Sequence, residues 1–163
     1  GAPGSSDAAP ESSAGAPGTC AGAPRPTRGA DSPPRFELFR RFTHVLEESR
    51  RVEQLGLALE ASDVAAVGRL MNQSHESCRD LYEISCPELD ELVEVERNAG
   101  AIGARMTGAG FGGCTVYLAE HTAVEGSIRE IIEKYYRGSR GLSRDDYSDL
   151  IFPVRAVSGV SWL

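Results

Sequence analysis

Four of the six residues from Gly108 to Gly113 are glycine, inside the run Arg105-Met106-Thr107-Gly108-Ala109-Gly110-Phe111-Gly112-Gly113-Cys114. Glycine takes positive φ without steric cost and lets backbone N–H groups approach another group closely. A loop of this kind is suited to cradle an anion, a phosphate above all; a tight glycine hairpin with no ligand is the competing reading. Arg105, just ahead of the loop, could help neutralise a phosphate or reach a neighbouring helix as a salt bridge. Ser74, His75 and Asp80 hold the residue types of a nucleophilic triad. Ser74 and His75 are adjacent, however, so on a helix their side chains diverge by about 100°, whereas a nucleophile and its base must face each other. His75 is therefore expected to support structure. Glu88, Asp90 and Glu91 suggest a metal site, but acids in a first helical turn are already explained by the helix dipole, and no metal ligands are expected. His44 and His121 lack a partner pattern and are expected at the surface. Glu47, Glu48 and Glu53 read as the solvated face of a helix.

Context narrows what the glycines can do. Gly108, Gly110 and Gly113 satisfy G-x-G-x-x-G, which in a dinucleotide site follows a strand and opens a helix. Here Cys114-Thr115-Val116-Tyr117-Leu118 follows, an alternating strand pattern, and no helix starts before about Thr122. The acidic residue such a site needs at the end of a second strand is missing, because Glu130 and Glu133 fall inside a helical pattern. A protein-kinase glycine loop joins two strands but needs V-A-I-K, H-R-D and D-F-G motifs, which the chain lacks. No Gly-Lys-Ser/Thr follows, which excludes a Walker A loop.

The elements that position these residues are legible from periodicity. Phe39, Phe42, Leu46, Val52, Leu55 and Leu59 recur at near-helical spacing and predict a buried stripe on a helix over 36–60. A second helix over 63–84, capped by Ser62 or Asp63, carries Val64, Val67, Leu70, Met71, Cys78 and Leu81. A third spans 87–98, with Pro87 in its first turn, Ser85 and Glu88 at capping-box spacing, and Asn98-Ala99-Gly100 as its stop. A fourth spans 122–137, with Thr122 and Glu125 as a capping box and Gly138 as its end. Strands are predicted over 101–106, 114–119 and 149–157, and a polar loop over 139–148. Helices mixed with antiparallel strands indicate an α+β two-layer domain.

Composition bounds the rest. Residues 1–35 are rich in Ala, Gly, Pro and Ser, repeat Gly-Ala-Pro, and are expected to be disordered because they bury too little apolar surface to offset chain entropy. Residues 36–163 are enough for one modest core. The net charge of −7 argues against a nucleic-acid or anionic-membrane partner. Met106–Ala119, free of charge, is too short and glycine-rich to span a bilayer. Cys20, Cys78, Cys86 and Cys114 form no C-x-x-C pair, so reduced thiols in a cytoplasmic protein are expected.

Three segments in order carry a family resemblance: Leu70-Met71-Asn72-Gln73-Ser74-His75-Glu76-Ser77-Cys78-Arg79-Asp80-Leu81-Tyr82-Glu83, then Ser85-Cys86-Pro87-Glu88-Leu89-Asp90-Glu91-Leu92-Val93, then Gly103 through Val116. This order resembles the C-terminal domain of galactokinases, members of the GHMP small-molecule kinases, and Met71–Tyr82 looks most like the N-acetylgalactosamine kinase branch. The resemblance implies an antiparallel sheet backed by helices, ferredoxin-like in type. It implies an enzyme that, with ATP and Mg²⁺, phosphorylates the anomeric hydroxyl of galactose or its N-acetyl analogue. Thr107, Gly108, Ala109, Gly110, Gly112 and Gly113 match the family's glycine loop and are expected to border the nucleotide phosphates, with Arg105 and His75 as supports. Gly110→Val is then expected to harm catalysis more than stability. The R-x-N-L-I-G-E-H and Leu-Ser-Ser-Ser motifs, the aspartate base and the magnesium ligands belong to an N-terminal domain missing here. No catalytic residue is therefore expected in this chain, and alone it should be inactive. The alternative implied is a non-catalytic galactokinase-like binding or regulatory module.

Overall fold

The computed structural model describes residues 37–155. The 1–35 segment, and residues 156–157 of the last predicted strand, lie outside these. Helix α1 (Leu38–Glu60) ends in a tight reversal in which Ser62 N–H donates to the Leu59 carbonyl and Asp63 N–H to that of Ala58. Ser62 sits at φ 55° to make it, the left-handed position that follows many helices. Asp63 then caps α2 (Val64–Ser77), its carboxylate accepting the Ala66 N–H at 2.8 Å. The second predicted helix continues as a π-helical turn, Cys78–Tyr82, closed by Glu83 at φ 58°.

Helix α3 (Pro87–Asn98) ends as its sequence signalled, with Gly100 at φ 94° and N–H bonds from Gly100 to Arg97 and from Ala101 to Glu96. Strands β1 (Gly103–Thr107) and β2 (Cys114–Leu118) form an antiparallel hairpin with Gly103 opposite Leu118 and Thr107 opposite Cys114. Helix α4 (Val124–Ile131) runs on as a π-helical segment, Ile132–Ser139, before a short α5 (Arg144–Tyr147). Helix α2 packs on β1, α3 on both strands and α4 on α3, so helices back the sheet in an α+β arrangement.

Two glycines set the α2–β1 approach. A Cβ on Gly68 would lie 2.3 Å from the Ile102 carbonyl oxygen, and one on Gly103 would lie 2.5 Å from the Gly68 Cα. Cys78, Cys86, Leu89 and Met106 form one buried cluster; Leu92, Ile131, Tyr135 and Tyr136 form another beneath β2 and α4.

Several expectations need correction. The stripe predicted to bury α1 faces outward: Phe39 is 83 % exposed and Phe42 63 %. Helix α1 instead turns His44 and Glu48 toward α2, where Ser77 and Ser74 are their polar partners, and buries Ala58 near its end. His44 is thus buried, not a surface residue; it pairs with the Ser77 hydroxyl at 2.8 Å and stacks on Tyr82 at 4.6 Å. Neither predicted capping box forms at α3 or α4, whose N-caps are Cys86 and Ala123 without side-chain caps; the Ser85 hydroxyl donates to Asp90 instead. Gly138 lies within the π-helical segment rather than ending a helix. The polar loop 139–148 contains α5, held by a Ser143–Asp146 capping box.

The strand predicted over 149–157 does not form among the described residues: 148–150 are turn and 151–155 lack a ladder. Pro153 has no N–H to offer a sheet, and Ile151 packs on the second cluster while Phe152 and Val154 stay exposed. Cys78, buried, and Cys114, exposed, are free thiols.

Candidate functional site

The hairpin connection Gly108–Gly113 stands at one end of the β1–β2 pair and is mostly exposed. Five of its residues have positive φ: Gly108 at 98°, Gly110 at 87°, Phe111 at 58°, Gly112 at 137° and Gly113 at 106°. Four of the five are glycines, which take positive φ without steric cost and let the backbone come close to a group the loop borders. Phe111 is the outlier, since an aromatic residue with positive φ is strained. Its N–H donates to the Ile84 carbonyl at 2.6 Å, which fixes the loop to the α2–α3 connection. The π-helical turn and Glu83 deliver that carbonyl, for Ile84 N–H closes back on the Cys78 carbonyl at 3.1 Å. The Phe111 ring itself is 68 % exposed at the tip.

The glycines are not equivalent. A Cβ on Gly110 would meet Ile84 Cβ and its carbonyl oxygen, both at 2.8 Å, whereas one on Gly108 meets nothing within 4 Å. The Gly110→Val expectation therefore changes: any side chain there also breaks the Ile84 contact and costs fold. Gly108 faces open space, so a side chain there meets no packed neighbour, although its φ of 98° is strained for any residue with a Cβ.

His75 and Asn72, one helical turn apart on α2, hold the free edge of β1. The Asn72 side-chain oxygen accepts the Ala104 N–H at 2.9 Å, and His75 Nδ1 accepts the Met106 N–H at 3.3 Å. Sheet edges expose N–H groups that must find partners, and these two side chains supply them along the strand leading into the loop. His75 is 1 % exposed. Burial pushes its pKa below the ordinary value against the pull of Asp90, so the ring is neutral, with its proton on Nε2. That nitrogen lies 3.3 Å from Asp90 Oδ1, close but without hydrogen-bond alignment. Ser74 points elsewhere, its hydroxyl donating to Glu48 Oε1 at 2.5 Å, so no triad assembles.

Arg105 takes the salt-bridge alternative, with Nη1 3.4 Å from Glu48 Oε1. Glu48 is thus no solvated residue: it gathers Ser74, Arg51 and Arg105 between α1, α2 and β1. Burial opposes its ionisation, but the Ser74 hydroxyl and the Arg51 and Arg105 cations outweigh that and hold the carboxyl below its usual range. Glu88 and Asp90 occupy the first turn of α3, and Glu91 pairs with Arg140 at 2.6 Å. Among the described residues no group of three His, Cys, Asp or Glu side chains could hold a metal ion. A depression beside α3, lined in part by His75, Arg79, Asp90 and Arg97, lies away from the glycine loop. Its arginines are engaged by Asp80, Asn72 and Glu76, which leaves little for a ligand.

Glu96 went unnoticed in the sequence. It lies on the inward face of α3 with Leu89, Leu92 and Val93, 3 % exposed, and accepts the Thr115 hydroxyl of β2 through Oε1. Its Oε2 has no partner, and burial pushes the carboxyl up to about 7. The available signal was its i+7 spacing from Leu89, a carboxylate on an apolar stripe.

Residues 57–138, half of the chain, match the family described as GHMP kinases C terminal. The chain belongs to this family. The matched stretch takes in α2, α3, the hairpin and most of the segment after α4, hence His75, Arg105 and the whole glycine loop of this GHMP kinase unit. The chain is 54 % identical over 100 residues to the galactokinase of Homo sapiens, covering 61 % of this chain and 26 % of that protein. It is 50 % identical over 121 residues to the galactokinase of Roseiflexus sp., covering 74 % and 29 %. Among solved structures it resembles the Lactococcus lactis galactokinase complexed with galactose, with a TM-score of 0.60 and 37 % identity over 66 % of this chain and 28 % of that one. The L. major mevalonate kinase in complex with R-mevalonate follows at a TM-score of 0.53 and 30 % identity, over 58 % and 29 %. The GHMP kinase unit described here thus spans about a quarter of the length of the curated relatives it matches. No helix among the described residues is long and apolar enough to cross a membrane.

Proposed function

We propose that this unit, from residue 36 onward, supplies the phosphate-bordering glycine loop of an ATP-dependent sugar 1-kinase of galactokinase type. Its substrate would be galactose or the N-acetyl analogue, phosphorylated at the anomeric hydroxyl, and cytoplasmic residence goes with that substrate. The observation that carries the reading is the β1–loop–β2 hairpin, with five positive φ values, in a chain belonging to the GHMP kinases. ATP fits this loop chemically: it is exposed, and Gly108 presents backbone to open space. When bound, ATP with Mg²⁺ supplies the transferable phosphoryl group. Thr107, Gly108, Ala109, Gly110, Gly112 and Gly113 would border its phosphates, and Mg²⁺ carboxylates and the base would come from the remaining portion of the kinase. Phosphoryl transfer depends mainly on positioning and charge stabilisation, so a backbone loop matters here without any reactive side chain. Asn72 and His75 position the loop by holding the edge of β1, and Ile84 holds its tip.

The test joins the 163-residue chain to the portion of human galactokinase that precedes the matched region. The chain alone, given ATP, Mg²⁺ and each sugar, forms no sugar 1-phosphate; the fusion turns over. In the fusion Gly108→Ala lowers kcat/KM at least about tenfold per folded molecule, equivalent to about 1.4 kcal/mol of lost transition-state stabilisation. A folded fusion with no turnover, or unchanged kcat/KM in the variant, would retire the phosphate role and leave a non-catalytic binding module.

A further inference from the structure

Among the described residues, three that carry a side chain have positive φ: Ser62, Glu83 and Phe111. Ser62 belongs to the reversal between α1 and α2. Glu83 and Phe111, at 58° each, are linked through a single residue. Glu83 leads into Ile84, and the Ile84 carbonyl accepts the Phe111 N–H at 2.6 Å. Strained backbone persists only where its surroundings over-determine it. Phe111 is held through Ile84, so whatever holds Glu83 also bears on the glycine loop.

Two arginines of α1 hold Glu83. Arg41 donates through Nη1 to the Leu81 carbonyl and through Nη2 to the Glu83 carboxylate. Arg40 donates to the Asp80 carbonyl and pairs with the other Glu83 oxygen at 2.7 Å. Carbonyls in the last turn of a helix have no partner within it, and these two find theirs 40 residues away. The Arg41 hydrogen bond is the main cause that keeps the Glu83 carboxyl below its usual range. An exposed ion pair alone adds little, but a guanidinium that bonds a carbonyl and a carboxylate together fixes direction as well as distance. Arg41 is itself steadied, 6.0 Å from the centroid of the Tyr82 ring, which stacks on buried His44. The Ile84 side chain packs on the cluster of Cys78, Cys86, Leu89 and Met106. The backbone path into Ile84 runs through Glu83.

We propose that Arg41 is a positioning residue for the glycine loop, holding Glu83 in its left-handed conformation so that the Ile84 carbonyl stays on the Phe111 N–H. Its consequence for catalysis rests on the kinase reading above, while the contacts from Arg41 to Phe111 lie wholly within this chain. Arg41 acts through Glu83 and Ile84. Phosphoryl transfer depends mainly on positioning, so a loop whose tip loses its anchor loses rate without losing a reactive group.

Amide hydrogen exchange followed by NMR on the full 163-residue chain reads these contacts without any activity. In Arg41→Ala the protection of the Phe111 amide should fall at least about tenfold, while Val93 in α3 and Ile131 in α4 change less than about twofold. Adding Glu83→Gly should restore the Phe111 protection, because glycine takes positive φ without the arginines. In the fusion to the preceding portion of human galactokinase, Arg41→Ala should lower kcat/KM for ATP at least about fivefold and leave KM for the sugar unchanged. Glu83→Gly should rescue that loss as well. Equal falls at Phe111, Val93 and Ile131 would show a general loss of stability and overturn the proposal. An unprotected Phe111 amide in the wild type, unchanged protection in Arg41→Ala, or failure of Glu83→Gly to rescue would each overturn it too. Should Arg41→Ala not fold, Glu83→Gln, which keeps the side chain's size and removes its charge, is held to the same selective loss at Phe111; failure of that chain to fold also overturns the proposal. A fusion that never turns over refutes the kinase reading and leaves the exchange result to decide the contact. A fusion that turns over with kcat/KM unaffected by Arg41→Ala refutes the positioning role alone.

Discussion

Replacing Glu96 by glutamine should change how the stability of this protein depends on pH. Glu96 is buried, lacks a cation, and has one carboxylate oxygen without a partner. Desolvation dominates and lifts its pKa from 4.5 to about 7, with the Thr115 hydroxyl and Arg97 pulling more weakly the other way. Because the folded value lies above the unfolded one, the native state holds the proton more tightly. Stability from this group is therefore full below about pH 4.5 and declines as pH rises through 7. At about 1.4 kcal/mol per pH unit, the span from 4.5 to about 7 amounts to about 3 kcal/mol. Glutamine keeps an acceptor for Thr115 and cannot ionise. Urea unfolding of both proteins should be followed from pH 4.5 to 8.5. The other shifted groups, including His44 and His75 with lowered pKa and Glu48 with a lowered one, are common to both and cancel in the difference. The variant should gain about 3 kcal/mol relative to wild type across that window. A difference that stays flat within about 1 kcal/mol, or grows toward acid, would refute the claim that Glu96 is buried without a counter-charge.

Gly68→Ala should lower stability by about 1–3 kcal/mol or more, since its Cβ would sit 2.3 Å from the Ile102 carbonyl oxygen. Were that contact absent, alanine would stabilise α2 by about 1 kcal/mol, so the sign of the shift in urea midpoint decides. Asp63→Ala should cost about 1 kcal/mol through loss of the Ala66 cap; no change in melting temperature would show that the cap is not formed in solution.

Much of this molecule is legible from local sequence, because local rules act over a few residues. Asp63 as a helix cap, Gly100 as a helix stop, Pro87 in a first turn and the alternation of Cys114–Leu118 each follow from chemistry within one turn or one strand. The glycine loop between two strands was readable in the same way, and with it the exclusion of a strand–loop–helix nucleotide site.

What failed was any inference about which way an element faces. The stripe on α1 has genuine helical spacing, yet its amphipathicity points outward, because periodicity identifies an apolar face without naming what covers it. His44 and Glu48 looked like solvent residues until Ser77, Tyr82, Ser74 and Arg105, 26 to 57 residues away, came to meet them. The strand expected over 149–157 has suitable residues but forms no ladder among the described ones, 149–155. Sequence alone determined the loop, the Asp63 cap, the Gly100 stop and the family. Tertiary structure decided that Ile84 pins the loop, that Gly108 rather than Gly110 faces open space, and that α1 shows its apolar side, since each depends on partners distant in the chain.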